Sequence, residues 1–208
     1  MNKLIKSREG GFESPAVYND FFSTELLDQL TSKIPDPPND PKKMNPIFYQ
    51  GQDGIDVYCA GSISLNDDKE ICEKIWNEVN SVYDTSVINW YDCAIQIFSG
   101  NTYLPWHDDA SYTFTMTTYL NQGVWDWNWG GAFLCLKKDG EIRAEFPEYN
   151  KAVFISGTYS KDNKMKHAVS LMHPIAGLRI SLQLFGSTGK SNPAPTNGNN
   201  GVLKNYTN

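Results

Sequence analysis

Residues 87–98 have the sequence VINWYDCAIQIF, and this stretch decides the fold class. In an extended chain, Cys93, Ile95 and Ile97 fall on one side, whereas Gln96 and Phe98 fall on the other. Such a period of two is typical of a β-strand with one buried face. The stretch therefore predicts the strand with which the β-rich part of the chain begins.

Short segments of the same character follow at regular intervals, separated by turn residues such as Gly130-Gly131 and Asp139-Gly140. Further strands are expected at 114–120, 131–137, 141–146, 151–156, 167–172 and 178–185. The high aromatic content, 13%, suits such a fold, because flat side chains pack well on pleated surfaces.

Two amphipathic helices are predicted before these strands, the first starting at Ser23 or Thr24 and the second near Asn66 or Asp67. Apolar residues at helical spacing mark their buried faces: Leu26, Leu27, Leu30 and Ile34 in the first, and Ile71, Ile75, Val79 and Val82 in the second. Residues 35–46 are rich in proline and indicate a loop, and residues 55–65 indicate an extended segment. The order predicts a mainly β fold, a sandwich or jelly roll, with flanking helices.

The composition indicates one domain over residues 1–186, with a helical N-terminal part at about 15–85 and a jelly-roll core at about 87–186. Residues 187–208 are rich in Gly, Asn, Pro and Ser, so this tail is expected to be disordered.

Charge and hydropathy narrow the classes of partner. A net charge of −6 gives no support for nucleic-acid binding. No run of about 18 apolar residues is present, so no membrane span is expected. The four cysteines lie far apart, which favours buried free thiols, a reducing compartment and a cytoplasmic location.

The histidines carry the strongest chemical signal, because the chain has only three. In an extended segment, His107 and Asp109 project to the same face, and His167 opens a later predicted strand. Two histidines and one carboxylate form the set that holds non-heme Fe(II) and leaves positions open. Taken alone, the His-x-Asp pattern is equally compatible with a surface loop that carries His107.

The predicted strand at 178–185, LRISLQLF, carries a second signal. Its leucines and Ile180 face a core, so Arg179, Ser181 and Gln183 lie on the opposite face. An Arg and a Ser on one strand face can bind a carboxylate, although a plain surface strand would carry them as naturally. The order His-x-Asp, His, Arg-x-Ser on successive strands is much less compatible with chance.

At this point the sequence resembles the Fe(II)/2-oxoglutarate-dependent oxygenase superfamily, and its prolyl-4-hydroxylase-like branch in particular. Beyond the ligands, the resemblance rests on residues 17–23 before a Leu-rich helix, residues 97–103 before His107, and Thr118-Tyr119-Leu120-Asn121 followed by Gly130-Gly131. It extends from about residue 15 to 186, without a quotable signature between 35 and 85.

The resemblance implies a double-stranded β-helix, which is a jelly roll of cupin-like type. It implies Fe(II) on His107, Asp109 and His167, with O₂ as co-reactant and ascorbate as a stimulant. It also implies 2-oxoglutarate as cosubstrate, held through one carboxylate by Arg179, Ser181 and Tyr119. Phe98 stands where many relatives have Tyr, and a phenyl ring offers only an apolar contact.

By the same resemblance, the reaction is hydroxylation of an unactivated C–H bond, since halogenating relatives lack the carboxylate that Asp109 supplies. The implied substrate is proline in a peptide, a free amino acid or another small metabolite. Substrate contacts are expected from Tyr103, Gln96, Thr117 and Trp127. A cupin-type metalloenzyme and a non-catalytic jelly-roll binding protein remain alternatives, and the sequence does not predict the oligomeric state.

Overall fold

A computed structural model of the chain describes residues 15–36, 38, 40–50, 56–109, 112–137, 140–156, 165–188 and 203–205. The helices are α1 (Thr24–Ser32) and α2 (Lys69–Val79). The strands are β1 (Ala16–Tyr18), β2 (Asn45–Gln50), β3 (Asp56–Ser64), β4 (Trp90–Phe98), β5 (Leu104–His107), β6 (Phe114–Tyr119), β7 (Phe133–Leu136), β8 (Ile142–Glu145), β9 (Ala152–Ser156), β10 (His167–Val169), β11 (Arg179–Ser187) and β12 (Leu203–Asn205). Short 3-10 helices lie at Pro41–Lys43, Thr85–Val87 and Trp127–Trp129.

The strands form two antiparallel sheets. The major sheet has the order β1-β9-β6-β11-β4-β3-β2-β12, and the minor sheet has the order β5-β10-β7-β8. Strand β11 lies inside the major sheet, where it pairs with β4 on one side and β6 on the other. This arrangement is a jelly roll, as the sequence predicts.

Each helix begins where a polar side chain caps it. The Ser23 hydroxyl accepts a hydrogen bond from the Leu26 N–H, and the Asp68 carboxylate accepts one from the Ile71 N–H. Both helices bury their apolar stripes against one face of the major sheet, as predicted. On β4 and β11 that face presents Cys93, Ile95, Ile97, Leu182 and Leu184.

Because side chains alternate along a strand, the other face of the same strands carries a different set. Arg179, Ser181 and Gln183 on β11 lie on this second face, next to Gln96 and Phe98 on β4. The pocket described below lies on this face.

The structure corrects several element boundaries. Strand β2 occupies residues 45–50, although the sequence indicates a loop up to residue 46. Strands β2 and β3 extend the major sheet, so the N-terminal part is not purely helical. Strand β5 was not predicted, and β10 ends at Val169 instead of residue 172.

All four cysteines are buried free thiols, as expected.

Other predictions concern parts of the chain that the structure describes only in part. Within the predicted disordered tail, β11 continues to Ser187 and β12 pairs with β2, whereas 189–202 and 206–208 lie outside the described residues. The division into one domain and a tail stays a prediction. Among the described residues, every helix is too short or too polar to cross a lipid bilayer.

Candidate metal centre

Three side chains with metal-binding atoms meet on the minor sheet. His107 ends β5, His167 begins β10, and the two residues are direct cross-strand partners with ring centroids 4.1 Å apart. Asp109 lies two residues beyond β5, with its oxygens 3.2 Å from His167 Nε2 and 3.8 Å from His107 Nε2. The three ligand atoms lie within 4.8 Å of one another, so one metal ion can contact all three.

Backbone carbonyls orient both imidazole rings. His107 Nδ1 lies 2.8 Å from the Pro105 carbonyl oxygen, and His167 Nδ1 lies 3.4 Å from that of Met165. An Nδ1–H that donates to a carbonyl leaves the Nε2 lone pair free for a metal. The Nε2 atoms of both rings approach Asp109, so the tautomers suited to metal binding are also those that the backbone favours.

The charges of the three groups suit a cation. Burial disfavours the ionised form of Asp109, but the neighbouring His167 and His107 lower its pKa to about 2. Burial, aided by His167, lowers the pKa of His107 to about 4. Burial also acts to lower the pKa of His167, but Asp109 outweighs it and the pKa is raised. At neutral pH the triad therefore contains a carboxylate and a neutral His107.

The donor set fits non-heme Fe(II). Two imidazole nitrogens and one carboxylate oxygen are available, and no fourth His, Cys, Asp or Glu joins the cluster among the described residues. A structural zinc site has four protein ligands, whereas a two-histidine, one-carboxylate site leaves coordination positions for other molecules.

The triad faces a pocket between the two sheets. We call it the triad pocket, and it is lined by Gln96, Phe98, Leu104, His107, Asp109, Thr115, Thr117, Phe133, His167, Val169, Arg179, Gln183 and Phe185. The major sheet supplies its polar wall through β4, β6 and β11. Ser181 on β11 is paired with Gln96 and Tyr119, and Gln183 is paired with Ala94 and Thr117.

Arg179 is a fully buried cation in this wall. Its Nε donates to the Gly131 carbonyl at 2.9 Å and its Nη1 to the Ser181 hydroxyl at 3.3 Å. Its Nη2 has no hydrogen-bond partner among the described residues. The rings of Phe98 and Tyr119 each lie 5.0 Å from the guanidinium carbon. A buried charge with an unused donor is costly, so this position favours an incoming anion.

Most of the predicted site residues come together here. His107, Asp109 and His167 form the triad, and Ser181, Tyr119 and Phe98 surround Arg179. Gln96 and Thr117 line the triad pocket.

Two predicted substrate contacts lie elsewhere. The exposed side chain of Tyr103 precedes β5 and does not line the pocket. Trp127 begins the 3-10 helix at Trp127–Trp129, its side chain is 76% exposed, and its ring stacks on that of Phe146. Neither residue lies on a strand, so the alternation of side chains along a strand does not direct it into the pocket.

Two further polar residues of the pocket, Thr115 and Gln183, were not predicted as site residues. Thr115 lines the triad pocket together with Asp109 and helps to keep the pKa of Asp109 low. Gln183 accepts a hydrogen bond from the Thr117 hydroxyl at 2.8 Å and donates to Ser181 at 3.1 Å. Thr115 lies two residues before Thr117 on β6, so the same parity that predicts one predicts the other.

Comparison with known proteins supports the architecture. No protein-family model matches the sequence, and no curated protein matches it. Among solved structures, a 2OG-Fe(II) oxygenase family oxidoreductase from Burkholderia pseudomallei is similar with a TM-score of 0.64 and 15% identity, over 91% of this chain and 96% of that one.

Two prolyl hydroxylases are similar to nearly the same degree. The enzyme from Trichoplax adhaerens, solved with a hypoxia inducible factor peptide fragment, has a TM-score of 0.62 and 13% identity over 85% of this chain and 84% of its own. A Pseudomonas putida prolyl-4-hydroxylase has a TM-score of 0.60 and 15% identity over 83% and 91%. The chain therefore has the jelly-roll fold that prolyl hydroxylases share with other 2-oxoglutarate/Fe(II) oxygenases.

Proposed function

We propose that the protein is an Fe(II)- and 2-oxoglutarate-dependent dioxygenase that hydroxylates an unactivated C–H bond. The observation that carries the proposal is the combination, in one pocket, of the His107–Asp109–His167 triad and the buried, incompletely paired Arg179. A non-catalytic jelly roll has no use for either feature, since both are costly to bury.

In this proposal the triad holds Fe(II) through His107 Nε2, His167 Nε2 and the Asp109 carboxylate. One carboxylate leaves Fe(II) with one net positive charge, which favours binding of an anionic cosubstrate. Thr115 lines the pocket with Asp109 and helps to keep this carboxylate ionised. Phe133 stacks on the His167 ring at 5.3 Å and Tyr49 packs edge-on against His107 at 5.7 Å, so both rings are held rigidly.

Arg179 and Ser181 bind the distal carboxylate of 2-oxoglutarate. The guanidinium offers its unused Nη2–H, and the Ser181 hydroxyl already lies within reach of Nη1. The Tyr119 hydroxyl makes only a long, 3.4 Å hydrogen bond to the Glu145 carbonyl, which leaves it available to the same carboxylate. Phe98 adds an apolar wall.

Bound iron and 2-oxoglutarate supply the oxidising chemistry: one atom of O₂ enters succinate, CO₂ is released, and the other atom forms the substrate hydroxyl. This chain's own residues exclude water and position the substrate. The apolar walls of the triad pocket beside the metal ligands are formed by Leu104, Phe133, Val169 and Phe185.

We propose a prolyl residue of a peptide as substrate, with a free amino acid or small metabolite as the other option. The peptide bound to the Trichoplax enzyme supports the first.

The test compares two histidines. His107→Ala should abolish Fe(II) binding and substrate-stimulated succinate formation, because two remaining ligands hold the ion weakly. His173→Ala is the matched control, since the exposed His173 side chain only accepts the Ile175 N–H in a turn. Metal content is measured after Fe(II) loading, and succinate formation is screened with amino acids and Pro-containing peptides in the presence of ascorbate. Retention of Fe(II) by the His107 variant would refute the proposal.

A further inference from the structure

One predicted substrate contact in the triad pocket, Gln96, has no hydrogen-bond partner for its side chain among the described residues. Gln96 on β4 is only 8% exposed and lines the pocket. Its side-chain amide forms no hydrogen bond with any residue that the structure describes. An amide that lines a pocket without a protein partner has a donor and an acceptor available, and it points to a polar ligand group.

The neighbouring glutamine of the same pocket shows the contrast. Gln183 uses both ends of its amide, because its oxygen accepts from Thr117 and its nitrogen donates to Ser181. Gln183 is therefore occupied within the protein. Gln96 keeps both a donor and an acceptor for a molecule that enters the pocket.

Gln96 also lies beside an open groove of about 470 Å³. Its cross-strand partner Ser62 lines this groove, as do Ser64 and the residue that Ser64 is paired with, Ala94. Paired residues of antiparallel strands project to the same face, so the groove and the pocket share one face of the major sheet. A substrate that occupies both the groove and the triad pocket would therefore lie across the paired positions Gln96 and Ser62.

The charge of the groove restricts its occupant. Its lining consists of neutral hydroxyl, amide, aromatic and aliphatic groups and one charged residue, Asp92, whose carboxylate accepts a hydrogen bond from the Asn66 amide at 2.6 Å. No Lys or Arg lines it within the part of the chain that the structure describes. A carboxylate in this groove would lack a cation and face Asp92, whereas an uncharged amide meets no such penalty.

We propose that Gln96 is a specificity-determining residue that binds an uncharged amide group of the substrate, on the side of the triad pocket next to the groove. The Gln96 amide can donate to the amide oxygen and accept from the amide N–H at the same time. The inference rests on the proposed function for the identity of the reaction. It adds that an amide flanking the oxidised carbon is preferred over a free carboxylate.

The experiment uses pairs of ligands that differ only in that group. The full-length protein, loaded with Mn(II) instead of Fe(II) and with 2-oxoglutarate, is titrated by calorimetry with N-acetyl amino acid amides and with the matching N-acetyl amino acids. The proline pair is included first. We expect the amide to bind about tenfold more tightly than the acid, as two ordinary hydrogen bonds allow.

Three variants separate recognition from structure. Gln96→Met keeps the shape without hydrogen bonds and should reduce the preference to about twofold or less. Gln96→Glu should also weaken amide binding, because a carboxylate cannot donate. Gln122→Met changes an exposed glutamine in a loop and should alter nothing. Affinities for Mn(II) and 2-oxoglutarate should stay at the wild-type values in all three.

Several outcomes would overturn the inference. These are equal or tighter binding of the acids, no binding of any amide at millimolar concentration, an unchanged preference in Gln96→Met, or a loss of 2-oxoglutarate affinity in that variant. The last result would assign Gln96 to the cosubstrate. If wild-type protein binds neither Mn(II) nor 2-oxoglutarate, the proposed function fails, and the amide–acid comparison on metal-free protein still decides the role of Gln96.

Discussion

Arg179 shows how much a single residue reveals about the ligand of a site. It is buried between Phe98 and Tyr119, it donates to Gly131 and Ser181, and no carboxylate pairs with it among the described residues. A protein normally buries a guanidinium only with a counter-charge. We infer that the counter-charge arrives with the cosubstrate.

Replacement of Arg179 by Met should therefore raise the apparent KM for 2-oxoglutarate by at least about 30-fold, since removal of one member of a buried charge pair costs 2 kcal/mol or more. Fe(II) content should not change, because Arg179 is not part of the triad. The thermal stabilisation that 2-oxoglutarate gives the wild-type protein should disappear as well. Arg143→Met is the control, since the Arg143 side chain is 43% exposed, pairs with Glu145 and does not line the triad pocket. A KM within about threefold of wild type would exclude the carboxylate contact.

The predicted site residues that line the triad pocket or surround Arg179, apart from Asp109, lie on regular strands. Parity on β11 places Arg179 and Ser181 on the pocket face, and parity on β4 and β6 does the same for Gln96 and Thr117. Parity does not reveal how a loop residue is oriented, so the predictions for Tyr103 and Trp127 placed them in a pocket that they do not line. Nor does it distinguish a paired glutamine, Gln183, from an unpaired one, Gln96, because hydrogen bonds across strands depend on register.

At the scale of elements, the turn at Gly130-Gly131 positions the guanidinium. The Gly131 carbonyl accepts the Arg179 Nε–H, and a Cβ on Gly131 would lie 3.4 Å from Arg179 Cδ. Gly130 has φ 69° and ψ −142°, a conformation that only glycine adopts readily. A Cβ on Gly130 would lie 2.1 Å from the Leu171 carbonyl oxygen, which belongs to rigid backbone.

Gly130→Ala should consequently destabilise the protein by about 3 kcal/mol or more, because it adds a backbone clash to the strain of a positive φ. Gly123→Ala is the matched control. Gly123 also has a positive φ, 89°, but a Cβ there has no neighbour within 4 Å, so a loss of about 1 kcal/mol is expected. Urea unfolding followed by tryptophan fluorescence measures both values. Equal losses in the two variants would show that the contact with Leu171 does not constrain the turn.

The elements that the sequence did not predict have physical reasons in common. Strand β5 is four residues long and contains Pro105, and β2 follows a proline-rich stretch and contains Pro46. Proline normally indicates a loop, and short strands show too little alternation to offset that signal. Both strands exist because partners supply their hydrogen bonds: the distant β10 pairs with β5, and β2 pairs with its chain neighbour β3 and with the distant β12. Pairing over long sequence separations is not visible in local patterns.

At the scale of the whole molecule, the major sheet separates two interiors. One face, covered by α1 and α2, holds the larger apolar core, and the other face holds the polar wall of the triad pocket. Alternate residues of β4 and β11 belong to the two interiors in turn. The side chains that stabilise the fold and those that form the candidate site therefore lie on opposite faces of the same strands.

This separation predicts that a core change on the helical side lowers stability without altering ligand binding. Ile75 on α2 is fully buried in the apolar core, so Ile75→Ala should cost about 2–5 kcal/mol. The KM for 2-oxoglutarate should nevertheless match the wild-type value at temperatures where the variant is folded, because the sheet between α2 and the triad pocket is paired on both sides of β11. Ile175→Ala, an exposed change of the same size, should affect neither quantity. A raised KM in folded Ile75→Ala would mean that the two faces are coupled, and that the helices help to set the spacing between the triad and Arg179.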